Sequence, residues 1–180
     1  MTILVCFSGQ IGSGKTSVSA AVAAALGWGR TGFGDYLRAE IARTSGDPEA
    51  REVLQDLGQR LVETDPEAFC RSVLIAGNFK PGDNFLIDGV RHVDIFRILK
   101  RLGAPSIARL LFLDVANSHR LARVRDRVDG DDFVRAETHR VESELRNELP
   151  ALADRVVDAT QPFDEVVSDC LACIGTWQQA

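Results

Sequence analysis

The feature that most constrains this chain is the string GQIGSGKT at residues 9–16. It fits the pattern G-x-x-x-x-G-K-[ST], which describes a phosphate-binding P-loop. A short apolar run that favours β-structure precedes it at residues 3–7, and an alanine-rich, helix-compatible segment follows at 17–26. Strand, glycine turn and helix start therefore come in the order that phosphate binding requires. This context disfavours the alternative of an ordinary glycine-rich turn with a chance lysine.

The residue types in this string suit a nucleoside triphosphate. Glycines let backbone N–H groups curve around a phosphate without Cβ clashes, and the following helix adds partial positive charge at its N-terminus. Lys15 can reach the β- and γ-phosphates, and the Thr16 hydroxyl can bind Mg²⁺. The residues predicted to bind ATP are Gly9, Gly12, Ser13, Gly14, Lys15, Thr16 and Ser17.

Short apolar runs alternate with helical segments along the chain. The runs lie at residues 3–7, 85–88, 107–113 and 155–157, with a weaker edge-strand candidate at 30–33. This alternation predicts an α/β, three-layer P-loop NTPase fold with a parallel sheet of about five strands. Between residues 34 and 80 three helical stretches occur without a convincing strand, starting at residues 35, 47 and 65. We interpret 34–80 as a helical insertion that binds an acceptor at the carboxyl edge of the sheet.

Composition bounds the class of protein. The 180 residues and 45% hydrophobic content fit one domain, 1–180, and the net charge of −5 argues against a general nucleic-acid surface. No apolar run approaches the ~20 residues of a membrane-spanning helix, and no leader is evident, so a cytoplasmic protein is expected, as monomer or dimer. The four cysteines lack zinc-finger spacing. Cys170 and Cys173 lie in an amphipathic segment, where buried packing is favoured over redox chemistry.

The string FLIDGVR at residues 85–91 is the second informative one. Its aspartate, Asp88, falls where an apolar strand ends and can hold a water molecule bound to Mg²⁺ beside the P-loop. Arg91 follows two residues after Gly89 and can bind an acceptor phosphate. The alternative is that Asp88 only caps the next helix.

Two further strings carry arginines. Residues 34–38 read GDYLR, in which Arg38 is either an acceptor ligand or a simple surface charge. A basic run at 119–127 places Arg123 and Arg127 near a glycine flanked by aspartates. Mixed charge usually marks a solvated face, but here it also suits a lid over polyphosphate, which we place at 123–140.

Together these strings resemble the nucleoside monophosphate kinases, the adenylate and cytidylate kinase group. That family has a G-D-x-x-R segment after its P-loop, as at residues 34–38, and a strand ending in D-G-x-x-R or similar, which 88–91 match with one residue fewer. Its next strand carries an aspartate, lid arginines follow, and an Asp-Asp pair precedes a further arginine. The matching residues, in the same order, are Asp114, Arg123, Arg127, Asp131, Asp132 and Arg140. Some likeness extends to dephospho-coenzyme A kinase-like and uncharacterised adenylate-kinase-like proteins.

The resemblance implies a kinase that moves the γ-phosphoryl group of ATP, with Mg²⁺, to a nucleoside or deoxynucleoside monophosphate. The implied site has catalytic Lys15, Arg123, Arg127 and Arg140, acceptor-binding Asp35, Arg38 and Arg91, and metal-binding Thr16 and Asp88. Two alternatives stay open. One is a P-loop kinase for another acceptor, dephospho-coenzyme A or a small hydroxyl compound, for which Asp35 becomes a candidate base. The other is a nucleotide-binding switch ATPase without a small acceptor.

Overall fold

The fold is described from a computed structural model, which covers residues 1–44, 46–116, 119 and 140–179. The predicted lid arginines Arg123 and Arg127, the Asp131–Asp132 pair and the side chain of Arg140 lie outside the described residues. So does nearly all of the basic run at 119–127. These parts of the sequence analysis stay predictions.

A five-stranded parallel sheet forms the centre of the molecule, as the sequence predicts. The strand order is β2-β3-β1-β4-β5, which makes the weakly predicted second strand an edge strand. Every pair of neighbours runs parallel, so the carboxyl ends of all five strands meet at one edge. The strands are β1 (Ile3–Gly9), β2 (Gly29–Gly32), β3 (Phe85–Val90), β4 (Ile107–Asp114) and β5 (Arg155–Asp158).

Seven described helices cover the two faces of the sheet. Three of them, α2 to α4, follow one another between β2 and β3, and no strand lies between these helices in the described residues. The helices are α1 (Lys15–Leu26), α2 (Phe33–Arg43), α3 (Arg51–Thr64), α4 (Pro66–Ala76), α5 (Val93–Leu102), α6 (Arg140–Leu152) and α7 (Phe163–Gln179).

The alternation of side chains along β1 divides the core into two clusters. Leu4 and Cys6 point into a cluster with α2, α4, α5 and α6. Ile3, Val5 and Phe7 point to the other face, where α1 and α7 pack. Because all seven residues of β1 are buried, the strand is apolar on both faces and lies at the centre of a three-layer fold.

Helix ends agree with the sequence signals at two places and differ at two others. Gly27 ends α1 in the left-handed conformation, and the Asp65 carboxylate accepts a hydrogen bond from the Ala68 N–H at the start of α4. Helix α3 begins at Arg51, not near Asp47, because the Asp47 carboxylate accepts the Glu49 N–H in a local turn. Pro150 does not end its helix, since α6 continues to Leu152.

In the described part of the chain, no helix is both long enough and apolar enough to cross a membrane.

Candidate active site

The P-loop connects β1 to α1 through glycines that other residues would replace only with strain. Gly9, Gly12 and Gly14 have φ angles of 151°, 83° and 81°. A Cβ on Gly9 would lie 2.7 Å from the Leu113 carbonyl oxygen, so the loop also packs closely on β4. The first turn of α1 contains no acidic residue, which leaves its partial positive charge uncompensated. The loop therefore has the backbone of an anion-binding site.

A cavity of about 230 Å³ opens beside this loop and joins most of the predicted site residues that the structure describes. One side is the loop wall, which we define as residues 11–16. The opposite side is the helical wall, which we define as the lining residues of α2, α3 and α4. The floor comes from the carboxyl end of β3 and the start of α5. The lining residues are Ile11, Gly12, Lys15, Thr16, Phe33, Gly34, Asp35, Leu37, Arg38, Leu54, Gln55, Gly58, Gln59, Val62, Phe69, Asp88, Gly89, Arg91, His92 and Ile95.

Asp88 ends up buried at the floor of this cavity, next to the carboxyl ends of β1 and β2. Its neighbours across the sheet are Phe7 on one side and Gly32 on the other. Its Oδ2 accepts a hydrogen bond of 3.1 Å from Arg30, whereas its Oδ1 is buried and has no hydrogen-bond partner among the described residues. A buried carboxylate oxygen without a partner is costly unless a ligand or water completes it. A site for a metal-bound water requires such an acceptor oxygen that no protein group already uses.

Arg30 links the two candidate acidic residues, and the sequence gives no signal for this role. Its guanidinium donates to Asp88, to Asp35 Oδ2 at 3.3 Å and to the Ser19 hydroxyl at 2.9 Å. The contact depends on the pairing of β2 with β3, which sets Gly32 opposite Asp88. A Cβ at Gly32 would lie 2.9 Å from Asp35 Oδ2, so another residue at this position would displace the Asp35 side chain.

Asp35 and Arg38 lie on the first turns of α2 and line the cavity together. Arg38 donates to Asp35 Oδ1 at 3.3 Å, and its Nε lies 3.7 Å from the Glu49 carboxylate. The Arg38 side chain keeps 43% of its surface exposed and the Asp35 side chain 49%. Both therefore stay accessible to a ligand in the cavity.

Arg91 reaches the same cavity from the end of β3. Gly89, with a φ of 85°, turns the chain there, and the Ser8 hydroxyl donates to the Val90 carbonyl at 2.7 Å. That buried bond ties the end of β3 to the end of β1, where the strand register shifts. The missing residue relative to the D-G-x-x-R string thus does not keep Arg91 from the cavity.

The helical wall adds an apolar surface that the sequence analysis did not single out. Leu37, Leu54, Val62 and Phe69 line it, and they belong to or pack against the larger core cluster. Gln59 lies among them, and its buried Oε1 has no hydrogen-bond partner in the described part of the chain, while its Nε2 donates to Glu63. The helical spacing of these residues on α3 was the available signal. The wall offers a ligand both an apolar face and a hydrogen-bond acceptor.

Among the described residues no group of three or more His, Cys, Asp or Glu side chains forms a metal cluster. The donor set is instead of the type that Mg²⁺ uses with nucleotides, one hydroxyl and one carboxylate with water and phosphate completing the sphere. Thr16 and Asp88 line the same cavity and supply that set. The buried Oδ1 of Asp88, which has no hydrogen-bond partner among the described residues, supports the fit of these side chains to Mg²⁺.

The cysteines take no part in this site. Cys6, Cys70 and Cys170 are buried and Cys173 is half-buried, and all are free thiols. Burial raises the pKa of Cys70 and of Cys170 to about 12. Such thiols stay protonated at neutral pH, so they serve packing and not nucleophilic chemistry.

Three solved structures that match this fold are named as kinases. Shikimate kinase from Bacteroides thetaiotaomicron aligns with a TM-score of 0.62 at 14% identity, over 96% of this chain and 98% of that one. Shikimate kinase from Aquifex aeolicus gives 0.58 at 16% identity, covering 99% of both chains. A gluconokinase from Sinorhizobium meliloti gives 0.58 at 22% identity, over 97% of this chain and 93% of that one. At these identities the likeness shows the fold, which is that of P-loop kinases.

Sequence relatives are fewer. No protein-family model matches the chain. A UPF0200 protein from Aeropyrum pernix is 31% identical over 108 residues, which is 56% of this chain and 53% of the relative. The chain therefore spans about half the length of the curated relative that it matches. The narrower resemblance to nucleoside monophosphate kinases stays a prediction, since the structures named above are kinases of another acceptor type.

Proposed function

We propose that this protein is an ATP-dependent kinase that transfers the γ-phosphoryl group to a small acceptor bearing a hydroxyl and an anionic group. The observation that carries the proposal is the single cavity shared by the P-loop and by Asp35, Arg38, Asp88 and Arg91. Phosphoryl transfer needs positioning and charge neutralisation more than covalent help from the protein. The cavity brings the groups for both tasks together.

The loop wall would hold the donor. Backbone N–H groups of the P-loop would bind the phosphates, and Lys15 would neutralise charge that builds up between the β- and γ-phosphates. Thr16 and, through water, Asp88 would hold Mg²⁺, which when bound supplies further charge neutralisation at the phosphates. We extend the proposal to Arg123, Arg127 and Arg140, which would approach the transferred group from the lid.

The helical wall and the floor would hold the acceptor. Arg38 and Arg91 each offer a planar pair of donors suited to a carboxylate or phosphate. Asp35 lies one turn before Arg38 and would accept the proton of an acceptor hydroxyl as it attacks. The solved relatives support a hydroxyl acceptor, because they are named as kinases for shikimate and for gluconate.

One observation favours a second candidate, a nucleoside monophosphate. The helical wall is apolar at Leu54 and Val62, and the buried amide oxygen of Gln59, which also lines the cavity, has no hydrogen-bond partner within the described ranges. A planar base with an N–H donor would satisfy both features, and its phosphate would occupy Arg38 and Arg91. An acceptor phosphate is already ionised, so this reaction would not need Asp35 as a base.

A panel of acceptors separates the candidates. ATP consumption would be measured with hydroxy acids, sugar acids, dephospho-coenzyme A and nucleoside monophosphates. Stimulation by a hydroxyl compound supports the main proposal, and stimulation by monophosphates alone supports the second candidate. ATP consumption that no acceptor stimulates would contradict both and favour a nucleotide-binding switch.

The Asp35→Asn variant tests the two candidates independently of the acceptor panel. For a hydroxyl acceptor, loss of the base should lower kcat by ~10²–10⁴-fold. For a phosphate acceptor the loss should stay below about tenfold, the effect of one weakened contact. Asp94→Asn is the matched control, because Asp94 also sits in a first helical turn and pairs with an arginine three residues on, at 2.9 Å. The control should leave kcat unchanged.

A further inference from the structure

Arg30 holds the two acidic residues of the cavity with one side chain. It extends from the edge strand β2, and only 19% of its side chain is exposed. Two of its nitrogens contact Asp88 and Asp35, and its Nε donates to the Ser19 hydroxyl. Because the guanidinium is planar and has partners on three elements, its position is fixed without a ligand.

This arrangement gives a hydrogen-bond partner to only one of the two carboxylate oxygens of Asp88 in the described part of the chain. The Asp88 side chain is 7% exposed, and Arg30 binds only its Oδ2. Its Oδ1 faces no hydrogen-bond donor in the described part of the chain. A cation or cation-bound water that reached this oxygen would lie beside the fixed positive charge that Arg30 places on the other oxygen of the same carboxylate.

That geometry affects free metal and nucleotide-bound metal in opposite ways. A bare divalent cation near Asp88 is repelled by the guanidinium, and burial strengthens the repulsion because the local dielectric constant is low. A complex of the cation with a nucleoside triphosphate carries net negative charge, so the same guanidinium attracts it. Arg30 therefore distinguishes free metal from nucleotide-bound metal by charge.

We infer that Arg30 is a positioning residue that keeps uncomplexed divalent cations off Asp88 and admits the metal only together with the nucleotide. This inference rests on the proposed function for the identity of the nucleotide. The inference implies an order of binding, in which the metal enters together with ATP and does not occupy the site before the nucleotide binds. The neighbouring Lys15 acts in the same direction and is kept in every variant below.

The experiment compares Arg30→Gln with the wild-type chain in two binding assays without acceptor. Glutamine removes the charge but keeps a hydrogen-bond donor for Asp88. Free Mn²⁺ would be titrated and followed by electron paramagnetic resonance, and Mg²⁺ with a non-hydrolysable ATP analogue by calorimetry. We expect Arg30→Gln to bind Mn²⁺ alone about tenfold more tightly or better, and the magnesium–nucleotide complex no more tightly than wild type.

Three controls make the result specific. Arg30→Lys keeps the charge and should bind Mn²⁺ as weakly as wild type. Arg43→Gln removes an exposed arginine of α2 that pairs with Glu40, and it should change neither assay. Adding Asp88→Asn to Arg30→Gln should abolish the gain in Mn²⁺ affinity, since Asp88 supplies the freed oxygen.

A gain in Mn²⁺ affinity without a gain in affinity for the magnesium–nucleotide complex excludes a merely structural role, which would weaken both kinds of binding. Unchanged or weaker Mn²⁺ binding in folded Arg30→Gln would overturn the inference, and so would a gain that persists with Asp88→Asn. Failure of the wild-type chain to bind the nucleotide complex would instead contradict the proposed function, whatever the result with Mn²⁺ alone.

Discussion

The two walls of the cavity are built in different ways. The loop wall follows β1, in which every residue is buried, and its shape depends on glycines with positive φ angles. The helical wall depends on α3, in which no described side chain is fully buried. Helix α3 contacts the core through a half-buried stripe formed by Leu54, Leu57, Leu61 and Val62.

This difference separates a rigid half of the site from an adaptable one. In the proposed function, backbone N–H groups of the loop wall would recognise a phosphate, which is common to all nucleotides, so the geometry of the loop wall need not vary. Side chains of the helical wall would decide which acceptor fits, and part of this wall stands on α3, whose few buried contacts favour low local stability. The fold can therefore keep its donor site while acceptor specificity changes. The predictions below test this contrast.

The largest effect is expected at the loop wall. Lys15→Ala removes a preorganised cation and should lower kcat by ~10²–10³-fold with whichever acceptor the panel identifies. The fold should persist, because Lys15 is only half-buried at the start of α1. Lys100→Ala, at an exposed position near the end of α5, is the control and should change neither turnover nor thermal stability. Near-normal turnover by folded Lys15→Ala would contradict the P-loop role.

Next in size is the loss of an arginine of the helical wall. A hydrogen bond to a charged group is worth ~1.5–3 kcal/mol, so Arg38→Ala should lower kcat/KM for the acceptor by roughly 10–200-fold. Arg91→Ala should act similarly from the floor, and the KM for ATP should barely move. Arg38→Lys should recover only part of the loss, since it keeps the charge but not the planar pair of donors.

The control for Arg38 is Arg43→Ala, because Arg43 is exposed on the same helix and pairs only with nearby Glu40 in the described contacts. It should leave kcat/KM unchanged. Normal acceptor kinetics in both Arg38→Ala and Arg91→Ala would show that the acceptor's anionic group is held elsewhere. The helical wall would then contribute shape alone.

How far the sequence predicts each wall follows from the range of the contacts. Local signals predict three features with which the fold agrees. A motif predicts the P-loop, apolar runs predict the strands, and a cap residue predicts the start of α4 at Asp65. Arg30 could not be found this way, because its partners at positions 19, 35 and 88 meet only when β2 pairs with β3. The predicted start of α3 at residue 47 was wrong for a local reason, since Asp47 forms a turn and does not cap the helix.

Glycine substitutions should show the contrast in stability. Gly9→Ala places a Cβ 2.7 Å from a backbone oxygen at a φ of 151°, so something in the loop or β4 must move. We expect a loss of ~1–3 kcal/mol in the free energy of unfolding, from backbone strain alone. ATP affinity should fall with it, as measured by denaturant titration and by nucleotide binding.

Gly58→Ala is the counterpart in the helical wall. Its Cβ would lie 3.2 Å from Leu37 Cδ1, the end of a flexible side chain that can shift. Replacing glycine inside a helix gains up to ~1 kcal/mol, so the variant should be as stable as wild type or more so. A loss as large as that of Gly9→Ala would mean that the helical wall is as rigid as the loop wall.

The smallest expected effect tests whether the two walls open independently. Asp65→Ala removes the side-chain cap of α4 and should cost ~1 kcal/mol, or about fivefold in an opening equilibrium. Cys70 on α4 and Cys6 on β1 are both buried thiols, so each reacts with a thiol reagent only when its own region opens. If α4 opens on its own, Asp65→Ala should speed the labelling of Cys70 about fivefold and leave that of Cys6 unchanged, as read from the labelled peptides by mass spectrometry. Equal acceleration at both thiols would show one cooperative unit, and the division into a rigid and an adaptable wall would then be wrong.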